Sequence, residues 1–167
     1  MKEQIKQIYL DADLIRHAVL RAVAFKDYEP TQMFSFLLKH PEIERSISLF
    51  TVSEIVANIL RNPQHIRSYE QNKKSILDAI AALQEMYSIN IIEYDKDDRN
   101  KKMKGFWVSS DIIDLSGLLL SAKDALHVCI AMRNDLTLVS NEPNFRKAAE
   151  IYPNITTDDH FYKQFEN

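Results

Sequence analysis

Apolar and polar positions along the chain change period repeatedly, and each change marks an element. In IKQIYLD (5–11) Ile8 and Leu10 share one face of a β-branched and aromatic run, which predicts a short strand. A helical period follows over about 14–25. A second helix is predicted over 31–39, where Pro30 and Thr31 supply a start signal and Pro41 a stop. SISLFT (46–51) predicts the next strand. It runs into a helix over 52–62, whose apolar stripe is Val52, Ile55, Val56, Ile59 and Leu60. A longer helix is expected over about 66–87, carrying Ile76, Ile80, Leu83 and Met86, and INIIEY (89–94) gives a third strand. DKDDRNKKMK (95–104) is a solvated charged stretch, a loop or the opening of a helix. Helical patterns return near 108–120 and at 122–133. LTLVS (136–140) is a fourth strand, Pro143 starts a further helix, and NITT (154–157) forms a last edge strand before a short terminal helix.

Strands that alternate with helices, with no hairpin signal between them, pair in parallel. The expected fold is therefore a three-layer α/β/α domain around a mainly parallel sheet of four to five strands. The 167 residues fit one domain, 1–167, and show no repeat or linker. Two glycines in all argue against a turn-rich β sandwich. With no run of ~18 apolar residues, neither a membrane span nor a signal peptide is expected. The single cysteine, Cys129, excludes an intrachain disulfide and a CxxC zinc site, suits a reducing cytosol, and reads as packing. A net charge of −3 offers no global attraction to nucleic acid, so a polyanion would have to be met by a local basic surface or by bound cations.

Acids fall at the junctions between elements. Asp11 and Asp13 close the first strand, Glu54 lies just past the second, Asp124 opens the 122–133 helix, and Glu142 follows LTLVS. In an open parallel sheet the crevice beyond the carboxyl ends of the strands is where ligands bind. Clustered carboxylates raise one another's pKa and need protons or cations. Oxygen ligands without Cys or paired His select Mg²⁺ or Mn²⁺ over zinc. Each acid also has a plain structural reading: Thr51-x-x-Glu54 and Ser121-x-x-Asp124 match helix caps, and Glu142 precedes a proline at a helix start. It is the presence of acids at four junctions together that points to a site.

IYLDADLI (8–15), KDALHVCIAM (123–132) and LTLVSNEPNF (136–145) resemble, in order and interval, the three best-marked motifs of the PIN domain (PilT N-terminus) family, which includes the VapC-like toxins. The resemblance covers essentially the whole chain. It implies a metal-dependent endoribonuclease, with RNA as substrate, Mg²⁺ or Mn²⁺ as cofactor, a small antitoxin as partner, and a homodimer. By position, Asp11 resembles the family's first metal-binding aspartate and Asp124 its third acid. Glu142 falls where the family has the aspartate of its Thr-x-Asp turn, with Ser140 for the threonine. Asp13 stands where asparagine is common, and Asn144 where another acid is frequent. The family's second acid is matched by Glu54 or, one turn deeper, by Asn58; the two share a helix face, and Glu54 is preferred because an amide brings no negative charge.

The implied ligands are Asp11, Glu54 and Asp124, with Glu142 as ligand or as orienter of the attacking water, and Ser140 and Asn141 as hydrogen-bonding groups. His127, three residues after Asp124, shares its helix face and reads more readily as structural than functional. Lys101, Lys102, Lys104 and Trp107, within RNKKMKGFW (99–107), could grip a phosphate backbone and stack a base, although a solvated loop leading to aromatic anchors is the favoured reading. Apolar residues of 14–38 (Leu14, Ile15, Val19, Met33, Phe34, Phe36, Leu37) serve mostly as core, with part left for an antitoxin or a second copy. Two other functions compete. LDAD is similar to the Asp-x-Asp of haloacid-dehalogenase-like phosphatases, but too little chain follows LTLVS for their later motifs. A non-catalytic PIN-like domain with an impaired metal site, binding RNA or protein, is kept open by Asn58, Glu142 and Asn144.

Overall fold

Ile8, Tyr9 and Leu10 are all fully buried, so the first strand is covered on both faces, as a parallel sheet between helical layers requires. The computed structural model describes residues 5–61, 69–92, 114–115, 117–118 and 120–165, with 69–72 described by backbone only. Five strands run β1 Gln7–Leu10, β2 Glu44–Ser48, β3 Ile89–Ile92, β4 Thr137–Val139 and β5 Ile155–Thr156. Their order is β3-β2-β1-β4-β5, and every pairing is parallel. The helices are α1 Ala12–Phe25, α2 Gln32–Lys39, α3 Leu49–Leu60, α4 Tyr69–Met86, α5 Ala122–Arg133 and α6 Asp158–Tyr162, with a 3-10 helix at Pro143–Glu150.

Alternation along the strands divides the interior in two. Ile8, Leu10, Ile47 and Val139 face a core built with α1 to α4, whereas Tyr9 and Leu138 face a second core under α5 and the 3-10 helix. The three-layer architecture follows, with five strands and no antiparallel member. Of the apolar residues of 14–38, Ile15, Val19, Met33, Phe34 and Leu37 are core, and Leu14 and Phe36 pack against it. Among the described residues no helix is long and apolar enough to cross a membrane.

Two expectations change, one a boundary and one a helix type. The strand expected at 46–51 ends at Ser48, because Ser48 and Thr51 form a capping box: the Thr51 N–H donates to Ser48 Oγ at 3.1 Å and the Ser48 N–H to Thr51 Oγ1 at 3.4 Å. Thr51 is thus inside α3 rather than its cap, and Glu54 sits in the second turn. The helix expected at Pro143 is a 3-10 helix of eight residues. α5 keeps the expected bounds, capped by Ser121 Oγ, which accepts from the Asp124 N–H at 3.1 Å.

Candidate metal centre

β1 is hydrogen-bonded to β2 on one side and β4 on the other, and the chain winds outward in both directions from that pair. The crevice beyond the carboxyl ends of β1 and β4 is therefore the topological switch point, where an open α/β sheet leaves room for a ligand. Asp11 follows β1 and Ser140 follows β4. The Asp11 N–H donates to the Val139 carbonyl at 3.2 Å, which locks the two strand ends together.

Asp11 is the N-cap of α1: its Oδ1 accepts from the Ala12 N–H at 2.7 Å, and its Oδ2 accepts from the Ser140 hydroxyl at 2.7 Å. Its side chain is almost fully buried. Opposite it stands His127 on α5, with no exposed surface. His127 Nε2 lies 2.6 Å from Glu54 Oε2 and 3.5 Å from Asp11 Oδ1, while Nδ1 lies 2.8 Å from the Tyr9 hydroxyl. An ionised Glu54 only accepts, so Nε2 carries the proton towards it and Nδ1 accepts from Tyr9. The Tyr9 hydroxyl also lies 2.8 Å from both Ser48 Oγ and Thr51 Oγ1, so the capping pair of α3 and the imidazole meet on one phenol. Glu54 Oε1 is paired with the Lys123 ammonium at 2.5 Å.

Burial sets the electrostatics. It is the largest influence on both Asp11 and His127. It holds the Asp11 carboxyl above its ordinary value of 3.8 and His127 below its ordinary 6.5. Their mutual attraction and the Ser140 and Ala12 hydrogen bonds pull the other way without overcoming it. The Tyr9 phenol is pushed upward by the same burial. A site that penalises the Asp11 charge and sets Glu54 beside it favours any added cation.

One oxygen each of Asp11 and Glu54 and one ring nitrogen of His127 lie within 4.8 Å of one another, a spacing one ion can span. Two carboxylates with one imidazole fit Mn²⁺ well and Mg²⁺ less closely. Tyr9 can donate or accept, so it supports the His127 tautomer that frees Nε2 as well as the one that protonates it. The residues present fit a divalent ion.

The remaining expected site residues lie at several positions around this centre. Asp124 is buried in the first turn of α5, one turn before His127, and adds its charge to the field at that imidazole. Glu142 is half-buried. Its N–H donates to Ser140 Oγ at 3.0 Å, and its Oε1 accepts from Asn144 Nδ2 at 2.9 Å. Asn58 lines a separate cleft with Arg16, His17 and Leu20, so Glu54, not Asn58, meets Asp11 and His127. Asp13 is exposed and pairs with Arg16 at 3.3 Å. Asn141 is exposed, with its Oδ1 accepting from the Asp158 N–H at 3.4 Å. Lys101, Lys102, Lys104 and Trp107 lie outside the described residues. His127, Tyr9 and Lys123 were absent from the expected site. The available signal was a tyrosine inside an apolar strand, because a buried phenol needs a hydrogen-bond partner.

The model of the PIN domain matches residues 8–151. The chain belongs to the PIN domain family. All three motif segments lie inside the matched span. No curated protein matches the sequence. Among solved structures, a chain of the VapBC2 complex of Rickettsia felis, bound to a DNA fragment from its promoter, is similar with a TM-score of 0.55 and 18% identity, over 91% of this chain and 97% of that one. A chain of a toxin–antitoxin complex from Klebsiella pneumoniae is similar with a TM-score of 0.48 and 17% identity, over 90% and 96%. At such identity the first likeness bears on the fold, and it agrees with the parallel PIN sheet.

Proposed function

We propose that this PIN domain is a metal-dependent endoribonuclease that hydrolyses phosphodiester bonds of RNA with Mn²⁺ or Mg²⁺. The observation that carries the reading is the meeting of Asp11, Glu54 and His127 within 4.8 Å at the switch point of the sheet. Asp11, Glu54 and His127 are the proposed ligands, with Asp124 one turn before His127 on α5 and Glu142, beside Ser140, as ligand or as orienter of the attacking water. When bound, the ion supplies an activated water and positive charge to offset the charge developing on the phosphate. Ser140 fixes Asp11 Oδ2, and His127, held by Tyr9, fixes Glu54 Oε2. Lys123 gives Glu54 a counter-charge, and its half-exposed side chain lets it swing aside for a cation.

The toxin role, a small antitoxin partner and a cytosolic site of action are part of the same proposal. They rest on family membership, and the likeness in fold to a chain of a VapBC complex agrees with them. A homodimer is proposed on the same footing, and light scattering of the purified chain measures it.

The test is cleavage of a long RNA with Mn²⁺, with and without chelator, by the wild type and by Asp11→Asn. The expected result is chelator-sensitive cleavage that the substitution reduces at least a hundredfold. Cleavage by Asp11→Asn at the wild-type rate would sink the assignment. A second reading, a PIN-like domain that binds RNA or protein without cutting, is favoured by one observation: both Glu54 oxygens are engaged, by Lys123 and by His127. Under that reading no cleavage appears at any Mn²⁺ concentration.

A further inference from the structure

Beside Ser140 the surface opens into a cleft of about 310 Å³ between the 3-10 helix, β5 and the start of α6. Ser140 is common to both sites: its hydroxyl donates to Asp11 Oδ2, and the residue also lines the cleft. The lining is apolar at Phe145, Ala149 and Ile155, and hydrogen-bonding at Glu142, Thr157 and His160. Arg146 stands at the exposed side and has no ion-pair partner among the described residues.

We propose that this cleft takes one nucleobase of the RNA strand, next to the phosphate held at Asp11. The placement beside a scissile phosphate rests on the nuclease reading. The binding of a base does not. Three observations favour a base over a phosphate or a peptide side chain. The volume lies at the small end of ligand clefts (roughly 300–1,000 Å³), enough for a flat ring and its sugar. Both charged groups line the cleft, the Glu142 carboxylate half-buried and the Arg146 guanidinium exposed, so a base edge is met by the carboxylate and the strand's phosphate by the guanidinium at the solvent side. The polar groups suit the edge of a base: Glu142 accepts, and Thr157 Oγ1, which already accepts from the His160 N–H at 3.3 Å, keeps its proton to donate. Unstacked bases of single-stranded RNA are read in this manner, by contact with a ring face and hydrogen bonds along the edge. Ile155, Thr157 and His160 lie beyond the 8–151 span of the family match, so the pocket is built partly from residues outside the common domain.

Each base offers Glu142 a donor, an exocyclic amine in adenine, guanine and cytosine and the N3–H in uracil. The experiment is an amide NMR titration of the full chain with AMP, GMP, CMP and UMP, with ribose 5-phosphate as the control that lacks a base. The expected result is shifts at Phe145, Ile155, Thr157 and His160 with the nucleotides and not with the control. Ala149→Trp, at an exposed position of the 3-10 helix, should weaken AMP at least tenfold while leaving Mn²⁺ binding unchanged. Equal shifts with ribose 5-phosphate, or wild-type affinity in Ala149→Trp, would overturn the proposal. A chain that binds AMP in the cleft but never cleaves RNA supports the cleft and sinks only the nuclease reading.

Discussion

Asp11 carries two burdens that act in opposite directions. As the N-cap of α1 it stabilises the helix, and as a buried carboxylate beside Glu54 it costs stability whenever it is ionised without a cation. Its pKa is raised on folding, so between 3.8 and the folded value the native state binds the extra proton, and stability falls as pH rises through that window. Asparagine caps a helix about as well as aspartate, and the Ser140 hydroxyl can turn to accept from its amide. Asp11→Asn is therefore expected to be at least as stable as the wild type at neutral pH in chelator, with any gain vanishing below pH 3.8. Urea denaturation across pH measures this, and a strongly destabilised Asp11→Asn at neutral pH would show that the buried charge is already compensated. His127 shows what residue chemistry alone leaves out of the site. Its spacing from Asp124 gave only a shared helix face, whereas its role follows from Tyr9, which is 118 residues away in sequence.

Among the elements, α3 transmits most to the site. Its Ser48–Thr51 capping box ends β2, sets Glu54 one turn in, and supplies two of the hydroxyls around Tyr9. The run SISLFT reads as one strand because its apolar and β-branched residues continue past Ser48, and the cap that interrupts it depends on a side-chain bond, not on periodicity. Ser48→Ala removes that cap and a buried hydrogen bond, with an expected loss of about 1–2 kcal/mol. The urea midpoint should fall with an unchanged slope, and an unchanged midpoint would contradict the capping account. α5 was fully legible, since Ser121 before an apolar-rich run marks a helix start without tertiary help. The choice between Glu54 and Asn58 was legible only through charge, not through position. One turn apart on a single face, they are separated in the fold by what packs opposite: His127 for Glu54, and Arg16, His17 and Leu20 for Asn58.

Across the whole molecule, the alternation of strands and helices was enough to read a parallel three-layer sheet, because parallel pairing with helical crossovers is the arrangement that buries such strands on both faces. The strand order was not readable. That order makes the end of β1 meet the end of β4, joining Asp11 to Ser140 over 129 residues and placing a buried acid at the switch point. The account stands on one claim, that Asp11, Glu54 and His127 hold a divalent cation. Calorimetric titration of the chelator-treated protein with Mn²⁺ tests it most directly. One site should appear in the wild type, weakened at least tenfold in Asp11→Asn, with a rise in stability of about 2.7 kcal/mol at a hundredfold excess over the dissociation constant. No binding by the wild type, or equal binding by both proteins, would contradict it.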